Sequence, residues 1–280
     1  MNTPKLSVVI LNHNTKDLLF DCLNSLKKVR GELVFEVIVS DNDSNDGSLE
    51  MIRNEFDWVK VITGPNISYS NGNNRARDIV KGEYVLFLNS DTVVYKDVLK
   101  KTVAYFENHD GVGALSCKLV LPNGKLDKDS RRRFPNPWNA FNRLFLNSGR
   151  NYWYLNIDEN KTHEVDVIQG AFFLTKKKIL DEVNWFDEKY EFDGEDIDLC
   201  FQIKKLGYKI VYYPEVSITH IKKATKNKVE GVNRKMQGID SMEYFVRKNL
   251  WDNYPLAFNY FVLTGIYFLK FLRLLKSKLI

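Results

Sequence analysis

Along the first ninety residues, short apolar, β-branched runs alternate with segments whose apolar residues recur at helical spacing. This alternation constrains the fold more than any other feature of the chain. Leu6 to Leu11 is one such run; Asn12-His13-Asn14-Thr15 follows it, and then Leu18, Leu19, Cys22, Leu23 and Leu26, three and four residues apart. The pattern repeats with Phe35 to Val39 and a helix opening near Ser48, with Val59 to Ile62 and a helix from about Asn71, and with the apolar run Tyr84 to Leu88. Strands of this kind need cover on both faces, so the sequence predicts an α/β fold with a mostly parallel central sheet and helices on both sides. Open sheets of that type bind ligands outside the carboxyl ends of their strands. Those ends carry Asn12, Asp41, Gly64-Pro65-Asn66 and Asn89-Ser90-Asp91, so polar residues converge on one edge.

No glycine fingerprint follows the first strand and no Walker-type loop occurs anywhere, which counts against dehydrogenases and kinases. From about Val112 the pattern changes to a strand-like Gly113 to Leu119, an Asn123-Gly124 turn and an irregular basic and aromatic stretch from Arg131 to Trp153. Strand-like Val165 to Leu174, Tyr208 to Tyr213 and Ser217 to His220 complete a unit expected to span residues 1–225, with halves at about 1–111 and 112–225. With 280 residues, 44% of them hydrophobic, a sizeable core is affordable in a single large domain. The net charge of +5 says little until the charges are located. Cys22, Cys117 and Cys200 lack metal-ligand spacing and read as reduced core residues of a cytosolic protein; the N-terminus has no apolar signal region, so secretion is not expected.

The stretch Asp193-Gly194-Glu195-Asp196-Ile197-Asp198 places four carboxylates in six residues at the expected start of an amphipathic helix. Crowded carboxylates repel one another and lose solvation, which raises the pKa of at least one and suits it to act as a base near neutral pH. The same cluster also reads as acids complementing a helix N-terminus.

Taken in order, the motifs resemble the family 2 inverting glycosyltransferases with the GT-A (Rossmann-like) fold, and within them the bacterial rhamnosyltransferase subgroup. The resemblance covers roughly residues 5–225. It is carried by Ser7-Val8-Val9-Ile10 with Asn12, by Val39 to Ser48, by Asn66 with Gly72-Asn73-Asn74, by Phe87-Leu88-Asn89-Ser90-Asp91, by Gly170-Ala171-Phe172, by Phe186-Asp187-Glu188 and by Glu195 to Leu199. Two departures are Ser68, where the subgroup commonly has glycine, and Asn89-Ser90-Asp91, which lacks the first acid of the usual metal motif. The resemblance implies transfer of a sugar from a nucleoside diphosphate donor, dTDP-rhamnose or a UDP-sugar, to a glycan or lipid-linked acceptor in cell-surface polysaccharide synthesis. It implies Asn12, Asp41, Asp43, Asn66, Asn73, Asn74 and Asn89 as donor-binding residues, and Asp91 and His220 as ligands of Mg²⁺ or Mn²⁺. It implies Asp196 as general base, with Glu195 orienting it or the acceptor; Asp198 is left to the helix N-terminus. Taken without the resemblance, Asp41 to Ser48 reads first as a polar turn with a Ser48 or Asp46 cap, and Asn71 reads as a helix cap. A non-catalytic nucleotide-sugar-binding or scaffold module of the same fold is the alternative reading.

Arg131-Arg132-Arg133 is too short for a nucleic-acid patch, and no such partner is expected; it reads as a solvated face or as a contact to diphosphate or an anionic acceptor. Residues 226–280 form a helical segment. After Pro255 the apolar run is interrupted and shorter than the ~20 residues that span a bilayer, while Lys270, Arg273 and Lys276 suit an interfacial helix on anionic lipid. The expected location is peripheral, on the cytoplasmic face of an inner-leaflet anionic membrane; packing on the catalytic domain or in a homodimer would bury the same face.

Overall fold

A computed structural model of the protein describes residues 3–135, 149–191, 193–222 and 231–278. Part of the Arg131 to Trp153 stretch, residues 136–148, lies outside the described residues. The strands are β1 (Leu6–Asn12), β2 (Phe35–Asn42), β3 (Lys60–Gly64), β4 (Tyr84–Asn89), β5 (Thr92–Val93), β6 (Val112–Val120), β7 (Arg131–Arg132), β8 (His163–Val165), β9 (Val167–Ile168), β10 (Phe172–Lys176) and β11 (Lys209–His220). The helices are α1 (Lys16–Lys28), α2 (Ser48–Glu55), α3 (Tyr69–Asn74), α4 (Val98–Asn108), α5 (Lys177–Val183), α6 (Glu195–Lys205), α7 (Gly231–Phe245) and α8 (Leu256–Lys278).

Among the described residues, nine strands form one mixed sheet in the order β3-β2-β1-β4-β10-β6-β11-β5, with β8 added beside β11. The half formed by β3, β2, β1 and β4 is parallel, as the alternation of strand and helix requires. β10 runs antiparallel to both β4 and β6, so Phe172 at its start lies beside Leu88 at the end of β4. The apolar stretch Val165 to Leu174 is therefore not one strand: Gly170 turns the chain, and β8, β9 and β10 pair with different partners. Conversely, the two runs after Tyr208 are one strand, bulged between Tyr213 and Ser217 where Pro214 has no N–H to give the ladder.

Side-chain alternation divides the core between the two faces. Leu6, Val8 and Ile10 pack with Leu19 and Leu23 of α1 and Val98 to Phe106 of α4, whereas Val9, Val85 and Phe87 pack with Ile179 of α5 and Leu199 and Ile203 of α6. The three cysteines are buried and free.

The C-terminal segment forms its own small apolar cluster. Leu263 and Ile266 of α8 meet Ile239 of α7 and Val246 just beyond it. The polar residues that interrupt the α8 sequence are satisfied locally: Asn259 Nδ2 donates to the carbonyls of Trp251 (2.6 Å) and Tyr254 (3.2 Å), and Thr264 Oγ1 to that of Tyr260 (2.8 Å). The helix therefore continues for 23 residues, and Leu256–Leu275 is long and apolar enough to cross a membrane by length and composition. This corrects the expectation of an apolar run too short to span. Lys270 is also not turned outward; its Nζ meets Asp240 Oδ1 on α7 at 2.5 Å.

Candidate active site

The parallel half of the sheet ends in a connected set of polar side chains. Asn12, fully buried at the end of β1, donates through Nδ2 to Asp41 Oδ2 (2.7 Å) and Ser44 Oγ (3.0 Å), and its Oδ1 accepts from Thr15 Oγ1 (2.6 Å). Thr15 in turn lies 2.9 Å from Ser90 Oγ, which links this loop to the residue preceding Asp91. Asp41 is also fully buried and accepts from the backbone N–H of Ser44 at 2.8 Å. A carboxylate has about four acceptor positions, so two bonds leave room for a further donor. Asp43 is exposed, in the left-handed region at φ 58°. Asn66 is exposed as well and accepts from Asn42 Nδ2 at 3.1 Å.

The asparagines of α3 behave differently. Ser68 caps this helix, accepting from the Asn71 N–H at 3.1 Å, so the residue that departs from the subgroup pattern does the capping expected of Asn71. Asn73 is buried and donates to the Tyr69 carbonyl at 3.0 Å. Asn74 gives both its N–H groups to Phe186 O and Glu188 Oε1, at 2.9 Å each, and accepts from the Phe186 N–H at 3.1 Å. Its amide thus bolts α3 to the 186–188 turn, with no N–H left for a donor nucleotide. Asn89 contributes its carbonyl to the Thr92 hydroxyl at 2.8 Å.

At the far half of the same edge, Asp91 and His220 meet although 129 positions separate them in the sequence. The antiparallel pairing of β5 with β11 sets His220 opposite Thr92, and Nε2 lies 3.4 Å from Asp91 Oδ1. Both residues are almost fully buried, and on its other side the imidazole has Nδ1 2.8 Å from Asp127 Oδ2. Burial opposes a charge on this imidazole, but the hydrogen bonds and charges of Asp127 and Asp91 outweigh it and lift the pKa to about 9. Lys222 donates to Asp127 Oδ1 (2.7 Å) and Asp129 Oδ2 (2.8 Å). Two ligands at right angles on an ion ~2.1 Å away stand roughly 3 Å apart, so this oxygen and nitrogen are spaced to hold one divalent cation. Among the described residues no group of three or more His, Cys, Asp or Glu side chains forms a complete shell.

The acid cluster starts α6 as its spacing implies. Asp193 (φ 55°) and Gly194 (φ 103°) both take left-handed conformations, and this tight turn delivers Glu195 and Asp196 to the first turn of the helix. Asp196 is 7% exposed and pairs through Oδ2 with Arg132 Nη2 of β7. Burial opposes the Arg132 charge, but Asp196, Tyr152 and Asp129 hold it in place. The carboxylate whose proton affinity rises is Glu195: burial first, and then the charge of Asp196, push its pKa up to about 8. Tyr69, whose hydroxyl donates to the Gly170 carbonyl at 3.1 Å, joins the two halves of the site. Its ionisation is suppressed by burial and then by the charges of Glu195, Asp196 and Asp91, which all bear on one phenol.

Asp198 does not serve the helix N-terminus. Only 3% exposed, it accepts from Lys248 Nζ and Asn249 Nδ2, each at 2.7 Å, and so fastens the C-terminal segment to α6. Nor is Arg131-Arg132-Arg133 a solvated face. Arg131 is buried, donating to the Ile157 carbonyl at 3.1 Å over the ring of Tyr212; Arg132 pairs with Asp196; Arg133 lies over the ring of Tyr154. Asp127, Lys222 and Tyr69, which join this candidate site, were not singled out by the sequence reading, which took Arg132 as a contact to an anion rather than as the partner of Asp196.

Comparison with known proteins accords with this geometry. The profile of the family described as "Glycosyltransferase like family 2" matches residues 4–237. The rhamnosyltransferase WbbL of Escherichia coli K12 is 25% identical over 228 residues, 76% of this chain and 82% of that protein. An uncharacterized glycosyltransferase of Bacillus subtilis 168, YfnE, is 32% identical over 208 residues, 71% of this chain; the match spans only 46% of its own length. The mannosyltransferase PcManGT from Pyrobaculum calidifontis, solved in complex with GDP-Man and Mn²⁺, superposes with a TM-score of 0.63 at 18% identity, over 95% of this chain and 70% of that one. Staphylococcus aureus TarS 1–349 in complex with UDP-GlcNAc gives a TM-score of 0.60 at 19% identity, over 94% and 71%. The superpositions identify the sheet and its flanking helices as the GT-A fold. A family match that runs over most of the chain decides the class: this chain belongs to glycosyltransferase family 2 and is a glycosyltransferase.

Proposed function

We propose that the protein transfers a sugar from a nucleoside diphosphate donor to a hydroxyl of a glycan or lipid-linked acceptor, inverting the anomeric centre, with a divalent cation held by Asp91 and His220. The observation that carries this reading is that one short segment ties the two acids together: Asp127 holds His220 beside Asp91, and Arg132, five residues on, pairs with Asp196. Inversion requires a base on the face of the sugar opposite the leaving group, and these carboxylates come from different elements, β4–β5 on one side and α6 on the other.

In this reading the base and ribose of the donor lie along Asn12, Asp41, Asp43, Asn66 and Asn73, where Asp41 keeps acceptor capacity for a pyrimidine N–H. Asn89 lies between this edge and Asp91. A cation held by Asp91 and His220 would supply charge to neutralise the departing diphosphate. The imidazole in the donor set favours Mn²⁺ over Mg²⁺. PcManGT, a structural neighbour, was solved with Mn²⁺. Asp196 takes the proton of the attacking hydroxyl, and Arg132 fixes its carboxylate until the acceptor arrives. Glu195, protonated below its raised pKa, donates a hydrogen bond to the acceptor or to its neighbour.

A rhamnosyl donor is the first choice, because WbbL carries that name. A panel of nucleoside diphosphate sugars, dTDP-rhamnose and UDP-sugars included, tests the reading by Mn²⁺-dependent release of nucleoside diphosphate; no metal-dependent release from any donor would contradict the metal-assisted transfer proposed here.

For location, we infer attachment to the cytoplasmic face of a membrane through the outer face of α8, where Phe261, Phe268 and Phe271 are 73%, 53% and 54% exposed. With Lys270 engaged by Asp240, apolar burial carries more of this attachment than charge does.

A further inference from the structure

We propose that Asp127 is a positioning residue for the cation site: its carboxylate holds His220 in the tautomer and ring orientation that present Nε2 to the ion beside Asp91. The inference rests on the reading that Asp91 and His220 bind the cation, and it adds a residue to which the sequence reading gave no role.

An imidazole can ligate only through a nitrogen that bears no proton, so a metal site must decide which nitrogen keeps the hydrogen. Asp127 Oδ2 lies 2.8 Å from Nδ1 of His220. The opposite oxygen of the same carboxylate receives the Lys222 ammonium at 2.7 Å and the Asp129 backbone N–H at 3.2 Å. A carboxylate paired in this way only accepts, so the hydrogen between the two residues belongs to Nδ1, and Nε2, 3.4 Å from Asp91 Oδ1, is the nitrogen left to give up its proton when a cation binds beside that carboxylate.

Asp127 is itself held. Its backbone N–H donates to the Leu119 carbonyl at 2.9 Å, which pins the residue beside the end of β6, and its side chain is 1% exposed. Lys222 is anchored a second time by Asp129, which also accepts from the Trp153 indole at 3.1 Å. The imidazole thus sits between two carboxylates on opposite sides, one facing the proposed cation and one facing away. Hydrogen-bond partners behind a metal-bound histidine are worth roughly 10- to 100-fold in metal affinity.

The test titrates Mn²⁺ alone into the full chain and follows free ion by electron paramagnetic resonance, with parent, Asp91→Ala, His220→Ala, Asp127→Ala and Asp127→Asn proteins. In parallel, ¹⁵N correlation spectra of metal-free protein labelled at its four histidines, recorded at a pH high enough for the His220 ring to be neutral, report its tautomer. The expected result is a 10- to 100-fold weaker Kd for Asp127→Ala, with the Nδ1–H tautomer of the parent replaced by a mixture. Should the alanine variant fail to fold, Asp127→Asn preserves volume and carries the test; it is expected to lose affinity several-fold and to show the same mixing. Parent-like affinity and tautomer in the Asp127 variants, with binding lost in Asp91→Ala and His220→Ala, would overturn the role of Asp127 alone. Parent-like affinity in Asp91→Ala and His220→Ala would overturn the cation site itself and this inference with it.

Discussion

Replacing Asp198 with alanine should loosen the C-terminal segment from the catalytic domain, and the size of the effect follows from the contacts it ends. The carboxylate accepts from Lys248 Nζ and Asn249 Nδ2 at 2.7 Å each, and more weakly from the Tyr190 hydroxyl at 3.3 Å and Gln202 Nε2 at 3.4 Å. Charge-assisted bonds of this kind contribute about 1.5–3 kcal/mol each, and stranding a buried partner costs about 3–5 kcal/mol. Lys248 is not stranded, because it is 28% exposed and keeps Asp187 at 2.7 Å. A loss of about 2–4 kcal/mol is therefore expected, which for a chain of this size lowers the thermal midpoint by about 5–10 °C. Circular dichroism melts of Asp198→Ala, Lys248→Ala and the double variant close a double-mutant cycle, in which a coupling of about 1 kcal/mol or more is expected for a close pair with little solvent. Strictly additive effects would refute the assignment of this pair as the fastening between α6 and the C-terminal segment.

Glu195 gives a prediction with a definite sign. Its folded pKa, raised to about 8 from 4.5, means that the folded state keeps a proton the unfolded chain has released. Its stabilising contribution is complete below pH 4.5 and disappears as pH climbs through about 8, by at most about 1.4 kcal/mol per pH unit. Glu195→Gln should flatten the stability profile across that window and leave the protein more stable than the parent at pH 9; parallel profiles would show that the raised pKa is not a property of the folded state. On α8, Phe261→Ser, Phe268→Ser and Phe271→Ser together should weaken binding to anionic vesicles by at least about 100-fold, since each ring adds roughly 1.5–3 kcal/mol on full burial and the exposed half to three-quarters of each is what the bilayer would cover. Their exposure predicts an unchanged melting temperature, and unchanged co-sedimentation would contradict the membrane face.

The framework of this fold was legible because strands such as Leu6–Asn12 and Tyr84–Asn89 are continuous apolar runs that only a doubly covered sheet accommodates. The sheet edge was legible too, since its polar residues come directly after those runs. What escaped the reading depends on long-range pairing. Arg131-Arg132-Arg133 looks like a single charged patch, yet Arg132 neutralises Asp196, 64 positions away, while its neighbours lie against aromatic rings. Asp198 sits where helix acids commonly complement a dipole, and nothing local announces Lys248. Asp127 was hidden for the same reason: its partner His220 lies 93 positions on, beyond strands β7 to β10 and helices α5 and α6. Asn74 shares a motif with Asn73, but only the folded chain shows that its amide is consumed by Phe186 and Glu188.

The central claim is that Asp196 removes the proton of the acceptor hydroxyl at a GT-A sheet edge. Asp196→Asn preserves size and keeps an oxygen for Arg132 but cannot take that proton. With the donor that the panel identifies, the account predicts that this variant binds donor within a few-fold of the parent while sugar transfer falls by ~10²-fold or more. Transfer at a near-parental rate with donor binding intact would contradict it.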